Sequence, residues 1–272
     1  MMMKLLAKHS TKLALFALLA TAGLLQAQVT FEQLLKPEDQ PQNWYNYSGG
    51  YFSQRYSRLT QITPANVKNL EMSWVFQLRS STEPSNTKFE ATPLVVNGVM
   101  YTVQPPNDVF ALDAATGKVF WSAPYRNQTP QEVRPCCGRV NRGLAISGDT
   151  LFMGTLDDHV IALDAKTGKQ IWNTTVADAK PELGYTFTVA PLVVKDKVIL
   201  GPAGGEFGIQ SFLAAFDVKT GKEVWRFHLI PKPGEPGHET WGGDSWKTGA
   251  GSIWTTGSYD PETKLTFWGV GT

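Results

Sequence analysis

The chain has 272 residues, 42% of them hydrophobic and 18% charged, with a net charge of +1 at pH 7 from 25 basic and 24 acidic side chains. Such a chain is long and apolar enough to bury a core, which excludes an intrinsically disordered protein. The near balance of charge, with no basic stripe, argues against a nucleic-acid partner.

In chain order, the first feature is an export signal. Lys4, Lys8 and Lys12 precede a continuous run of apolar and small residues from Leu13 to Leu25. The run is too short for a comfortable membrane span. Residues 1–27 are therefore predicted to be a signal peptide, cleaved after Ala27 or near Ala20-Thr21-Ala22. Export to the periplasm would place the chain in an oxidising compartment, where a disulfide persists. Residues 28–69 form a lead-in segment. Within it, Thr63 to Leu70 is predicted to be a short helix, with Thr63 as N-cap and Pro64 at the first helical position. The stretch from Asn69 to Leu78 is predicted to be the first strand of a repeated region.

Residues 70–272 are organised by that repeat. Ala111-Leu-Asp113-Ala-Ala-Thr116-Gly117-Lys118-Val-Phe-Trp121 recurs as Ala162-Leu-Asp164-Ala-Lys-Thr167-Gly168-Lys169-Gln-Ile-Trp172. It recurs again as Ala215-Phe-Asp217-Val-Lys-Thr220-Gly221-Lys222-Glu-Val-Trp225. The repeated Asp residues are 51 and then 53 positions apart. A short apolar strand leads into Asp, Asp-x-x-Thr-Gly-Lys makes a tight turn, and a second strand carries Trp. Further short apolar runs precede each copy: Pro93 to Asn97, Val99 to Val103, Thr150 to Gly154, Pro191 to Val194 and Lys197 to Gly201. Four strands per unit of this length predict an all-β fold, a β-propeller of four-stranded blades docked through the repeated Trp. About four blades fit into residues 70–272. The last stops within Thr266-Phe-Trp-Gly-Val-Gly-Thr272, so the expectation is a propeller truncated at its C-terminus.

Several residues fall outside the repeat. Cys136 and Cys137 are the only cysteines and are adjacent. Ordinary disulfides prefer a wider Cα separation than neighbours provide, so two thiols, an intermolecular bridge and a small strained ring all stand as alternatives. Arg142 follows in Val-Asn-Arg142-Gly, a fork-shaped cation suited to carboxylates. Gly201-Pro-Ala203-Gly204-Gly205-Glu206 combines glycines, which allow a ligand close to the backbone, with a carboxylate that can hold a divalent cation. Trp254 lies in Ser-Ile-Trp254-Thr, Glu90 before the strand at Thr92, and Thr188 in Thr-Val-Ala-Pro. Asp244 and Asp260 read as loop or turn residues. The four His have no metal-ligand spacing, and no Gly-x-Gly-x-x-Gly joins a strand to a helix, so neither a zinc centre nor a nicotinamide site is indicated.

The repeat, Cys136-Cys137 with Arg142 five residues on, Gly-Gly-Glu206 and Trp254 together resemble the quinoprotein alcohol dehydrogenases, the methanol and ethanol dehydrogenase family that uses pyrroloquinoline quinone. The resemblance implies an eight-bladed propeller, of which about four blades are present here. It implies that Cys136 and Cys137 pair in a ring lying flat over the quinone and that Trp254 stacks on the opposite face. Arg142 would bind the quinone's carboxylates and carbonyl region, with Glu90 and Thr188 as further contacts. Gly204 and Gly205 would line the cofactor beside Ala203, where the family often has Ser. Glu206 would ligate Ca2+ or a lanthanide, which polarises the quinone. The implied reaction oxidises a primary alcohol to an aldehyde by hydride transfer to the quinone. In the family a second metal ligand, an Asn, and a general-base Asp follow beyond the position of Thr272, so no catalytic residue is assigned in this chain and the chain alone is expected to be inactive. The partners implied are a small alcohol, a cytochrome c electron acceptor and a homodimer mate. Two other readings compete. One is a non-catalytic propeller acting as a scaffold for protein–protein interaction in the periplasm. The other is a related sugar or polyol dehydrogenase, though those relatives generally lack the Cys pair.

Overall fold

The computed structural model describes residues 29–78, 88–126, 135–177 and 184–271, and the expected signal peptide lies outside them. Three antiparallel sheets of four strands follow one another along the chain. The first holds β1 (Leu94–Val96), β2 (Val99–Gln104), β3 (Asp108–Asp113) and β4 (Val119–Ala123). The second holds β5 (Ala145–Ser147), β6 (Thr150–Gly154), β7 (His159–Asp164) and β8 (Gln170–Thr175). The third holds β9 (Leu192–Val194), β10 (Lys197–Leu200), β11 (Phe212–Asp217) and β12 (Glu223–His228). In each, neighbours in sequence are neighbours in space. A two-stranded sheet of β13 (Ser258–Asp260) and β14 (Leu265–Phe267) ends the described chain. The middle strands β6, β7, β10 and β11 are near-continuous apolar runs and are buried, whereas β4, β8 and β12 are largely exposed. The core therefore lies between the sheets, along their inner strands.

The repeat forms the same turn three times. Asp113 accepts the backbone N–H groups of Ala115 and Thr116, Asp164 those of Lys166 and Thr167, and Asp217 those of Lys219 and Thr220. Gly117, Gly168 and Gly221 follow at φ 72°, 71° and 69°, a left-handed conformation that favours glycine. These glycines have a second role that the turn alone does not reveal. A Cβ at Gly117 would lie 2.5 Å from the ring of Trp74, one at Gly168 2.6 Å from that of Trp121, and one at Gly221 2.6 Å from that of Trp172. The indole N–H groups of those Trp residues donate to the carbonyls of Ala114, Ala165 and Val218. Each Trp is thus seated on the turn of the next unit. Each third–fourth strand pair also carries a register shift at the same place, after Ala111, Ala162 and Ala215. The bulge lets two residues of the outer strand oppose one of its partner and keeps the Trp on its Ala.

The lead-in segment is bound into the core. Val29 pairs with Gly148 and Trp44 with Val95, while the Tyr51 hydroxyl donates to the Val193 carbonyl. A short helix α1 (Phe31–Leu35) buries Leu34 and starts with a capping box between Thr30 and Gln33. The helix expected at Thr63 to Leu70 is only a 3-10 turn at Val67–Asn69. Thr63 does not cap it with its side chain. Instead the Asn66 side chain accepts the Thr63 N–H at 2.7 Å, a local bond that competes with helix, and no apolar face is buried to favour one. Of the strand expected from Asn69 to Leu78, Asn69 ends the 3-10 turn and residues 70–78 have no ladder partner among the described residues, although Trp74 is seated on Gly117.

Candidate functional site

The candidate site is a cavity of about 230 Å³. Its walls come from irregular segments between strands: residues 135–142, residues 186–188 together with 203–206, and residues 252–254. Every one of the expected site residues except Glu90 and Gly205 lines it directly. Glu90 reaches it through Arg142, and Gly205 lies between Gly204 and Glu206.

The first wall is a strap leading out of the Cys pair. Cys136 and Cys137 are joined by a disulfide, with Cα atoms 3.8 Å apart, so neither free thiols nor an intermolecular bridge describes them. Beyond Gly138 the strap is tied down by Asn141, which is fully buried. Its amide donates to Asn107 Oδ1 (3.2 Å) and to the Gly154 carbonyl (2.9 Å), and its oxygen accepts the Gly143 N–H (2.9 Å). The backbone of Arg142 is held on both sides, its N–H by Thr188 O and its carbonyl by Thr92 N–H. Its guanidinium is therefore delivered to a fixed place. Nη2 pairs with Glu90 Oε2 at 2.7 Å, and Nη1 donates to Thr188 Oγ1 at 3.1 Å. Cζ lies 5.2 Å from the centroid of the Trp254 ring. This pairing is desolvated on the Arg142 side, which is 15% exposed, and more open at Glu90, which is 37% exposed.

The second wall depends on glycine. Ala203 N–H donates to the Thr186 carbonyl, bringing residues 184–188 against 203–206. Gly204 has φ 104°, and a Cβ there would lie 2.0 Å from the Gly184 carbonyl oxygen, so the two backbones touch only because a side chain is missing. The chain then makes a 3-10 turn, Gly205–Phe207, which presents Glu206 outward. The Glu206 carboxylate and the two Cys sulfurs lie within 4.8 Å of one another at one end of the cavity. The third wall is hung on the second: Ile253 N–H donates to the Pro202 carbonyl, and Trp254, 46% exposed, turns its ring to the cavity beside Arg142.

The structure adds residues that sequence reading did not single out. Thr186 and Ser252 line the cavity, and Thr186 Oγ1 is a buried hydroxyl without a hydrogen-bond partner. Asn107 and Asn141 lie behind the strap. The signal available for Asn141 is its place between the apolar Val140 and the candidate ligand-binding Arg142. Nothing in the sequence marks Thr186 over its neighbours. Asp260 is a turn residue, accepting from Glu262 N–H and the Thr263 hydroxyl, and Asp244 pairs with Lys247; neither lines the cavity.

The donor set fits a flat, polyanionic ligand together with a hard cation. Arg142 with Thr188 offers N–H and O–H groups to carboxylates, Trp254 and the disulfide offer two faces, and Glu206 offers exposed oxygens. Comparison with known proteins agrees. The family model for the glucose/ethanol/alcohol dehydrogenase β-propeller domain, PQQ, matches residues 44–272. The dehydrogenase subunit of the quinone alcohol dehydrogenase of Gluconacetobacter polyoxogenes is 40% identical, covering 89% of this chain and 35% of that protein. The lanthanide-dependent methanol dehydrogenase of Methylacidiphilum fumariolicum is 39% identical, covering 97% of this chain and 45% of that protein. The solved structure of the quinohemoprotein alcohol dehydrogenase ADHIIG of Pseudomonas putida HK5 superposes with a TM-score of 0.80 at 38% identity, covering 91% of this chain and 37% of that one. The chain thus spans less than half the length of these relatives. It belongs to the family of PQQ alcohol dehydrogenase β-propeller domains.

Proposed function

We propose that the chain forms the quinone- and metal-binding part of a dehydrogenase that oxidises a primary alcohol to an aldehyde, with pyrroloquinoline quinone and Ca2+ or a lanthanide as cofactors. One observation carries this: a single cavity brings together the Cys136–Cys137 disulfide, the Trp254 ring, the Arg142 fork and the Glu206 carboxylate. When bound, the quinone supplies a hydride acceptor and the metal a Lewis acid. The chain's own residues supply position and charge. Arg142, its backbone fixed by Thr188 and Thr92, holds the ligand's carboxylates, and Thr188 Oγ1 adds a hydroxyl. Glu90 neutralises Arg142 through Nη2 and contacts the ligand's edge. Gly204 and Gly205 let the backbone approach where Ala203 has no hydroxyl to offer. Trp254 and the disulfide exclude water from the two faces, which strengthens every charged contact between them. Glu206 holds the metal at the open end.

The finer reading has three parts. The sheets described here are part of an eight-bladed propeller whose blades dock through Trp121, Trp172 and their equivalents. No Asp and no Asn lines the cavity among the described residues, and the general-base Asp and the second metal ligand are assigned outside them. Residues 1–27 direct export to the periplasm, where a cytochrome c accepts the electrons and two copies pair. The names of the relatives support an alcohol substrate and, through "quinohemoprotein", a haem acceptor.

The test is direct. Addition of the quinone with Ca2+ to the chain is expected to quench tryptophan fluorescence at one equivalent, and Glu206→Ala to remove the Ca2+-dependent part of that binding. In the longer protein containing this sequence, dye-linked ethanol oxidation should be lost in the same variant. Binding that ignores Ca2+ in the wild-type chain would refute the metal assignment.

A further inference from the structure

The proposed function uses the Cys136–Cys137 disulfide as a surface and Glu206 as a ligand for a hard cation, and in neither role does sulfur bind a metal. Both Cys sulfurs and a Glu206 carboxylate oxygen lie within 4.8 Å of one another, and all three residues are exposed at the mouth of the cavity. Sulfur in a disulfide carries no charge and is a poor ligand; the thiolate is the good one. We propose that reduction of Cys136–Cys137 converts this end of the cavity into a Cys2Glu site for a thiophilic divalent cation such as Zn2+ or Cd2+. An occupied site would exclude the quinone from the same cavity.

The chemistry balances with an external dithiol as reductant. One reagent thiolate attacks a protein sulfur, the S–S bond breaks through a mixed disulfide, and the second reagent thiolate closes the reagent into its own cyclic disulfide. Two electrons and two protons pass to the protein, which then carries two thiols. The cation displaces both protons and gains two thiolates and one carboxylate. Three features favour capture at this place. Being neighbours in the chain, with Cα atoms 3.8 Å apart, the two thiols stay within reach of one cation after reduction. The strap that carries them stays anchored by Asn141 and Arg142, whose bonds do not involve sulfur. The nearby positive charge of Arg142 is met by Glu90 at 2.7 Å, so it does little to repel a cation. Tetrahedral coordination, with metal–sulfur bonds of about 2.3 Å and metal–oxygen bonds of about 2.0–2.2 Å, asks for sulfurs about 3.8 Å apart and a carboxylate oxygen about 3.5–3.7 Å from each. Once the S–S bond is cut, rotation of the two Cys side chains opens the sulfurs to that spacing, rotation of the exposed Glu206 side chain brings in its oxygen from within 4.8 Å, and water takes the fourth position. Two soft thiolates with one carboxylate select a d10 cation over Ca2+.

The proposal does not need the quinone, and neither does its test. The chain is reduced with a dithiol under argon, freed of reagent, and titrated with Cd2+ while the near-ultraviolet thiolate-to-metal absorption is followed. The oxidised chain and a reduced chain with both thiols alkylated run in parallel, and circular dichroism reports whether the fold persists. One Cd2+ per chain is expected, bound at least about a hundredfold more tightly than by either control. Glu206→Gln should weaken it by about tenfold and leave the absorption band in place. Three results would overturn the site: equal affinity in reduced and oxidised chains, one Cd2+ shared by two chains, or unfolding on reduction. Wild-type affinity in Glu206→Gln would remove Glu206 from the site. Failure of quinone binding in the oxidised chain would instead count against the proposed function alone.

Discussion

The turns of the repeat and the walls of the cavity are made from the same parts: a glycine with positive φ, a polar side chain and a tryptophan. In the turns the three parts satisfy one another. Asp217 accepts the backbone N–H groups of its own turn, Gly221 receives Trp172, and the Trp172 N–H finds the Val218 carbonyl. In the cavity the same parts are left facing outward. Gly204 brings two backbones together rather than seating a ring, Trp254 is 46% exposed, and Thr186 keeps a buried hydroxyl without a partner. Self-satisfied parts repeat because each unit needs them. Parts that point at something else occur once, which is how a repeat protein separates architecture from function.

The sharpest test of that division compares its two kinds of glycine. Gly204→Ala sets a Cβ 2.0 Å from a carbonyl oxygen of a neighbouring segment, at φ 104°. Backbone cannot give way as a side chain can, so a loss on the order of 4 kcal/mol in urea unfolding is expected, together with loss of the cavity. Gly168→Ala should cost less, about 2–3 kcal/mol, because the Trp121 ring that blocks it can tilt. Its folded fraction should bind the quinone as wild type does, since Gly168 does not line the cavity. Equal losses in both variants, or impaired binding in Gly168→Ala, would break the division between turn and cavity.

The same division explains what could be read in advance. The sheets were legible because Asp-x-x-Thr-Gly-Lys encodes its turn locally and recurs, so Asp113, Asp164 and Asp217 mark the strands on either side. Cys136, Arg142, Glu206 and Trp254 were legible as a group through resemblance, not through any pattern of their own. What escaped depends on contacts distant in sequence. Asn141 matters because Asn107 and Gly154 fold up against it. The second duty of Gly117 is visible only once Trp74 is seated there. Residues 70–78 have the composition of a strand, but a strand needs a neighbour to pair with, and composition cannot say whether one is present. The lead-in helix was missed although Thr30-x-x-Gln33 spells a capping box, because at five residues it has no hydrophobic periodicity to notice.

Within the cavity, Arg142→Lys should be smaller in effect and confined to binding. A lysine ammonium cannot serve Glu90 and Thr188 while also presenting a planar fork to a carboxylate. Quinone affinity measured by fluorescence titration is expected to fall about tenfold, and the unfolding midpoint to move little, as the surviving charge still meets the half-open Glu90. A large loss of stability would show that Arg142 is part of the architecture after all.

The smallest expected effect returns to the turns and uses pH. The Asp113 carboxyl is held below its ordinary value, chiefly by the Thr116 backbone N–H, and the Asp217 carboxyl chiefly by the Thr220 hydroxyl. A carboxyl whose pKa is lower in the folded chain releases its proton more readily there than when unfolded. Its stabilising contribution is therefore complete above the unfolded pKa of about 4 and disappears as pH falls through the folded value. In Asp113→Asn/Asp217→Asn the amide oxygens can still accept the turn N–H groups, but no charge is left to titrate. The double variant should be slightly less stable than wild type at about pH 6, and the two melting curves should converge as pH falls from about 4 to about 2. Because both Asp residues are open to solvent on one side, the convergence will be modest and should shrink further in high salt. Curves that stay parallel across that range would mean that the repeated Asp holds its turn by shape and hydrogen bonding alone, with charge contributing nothing.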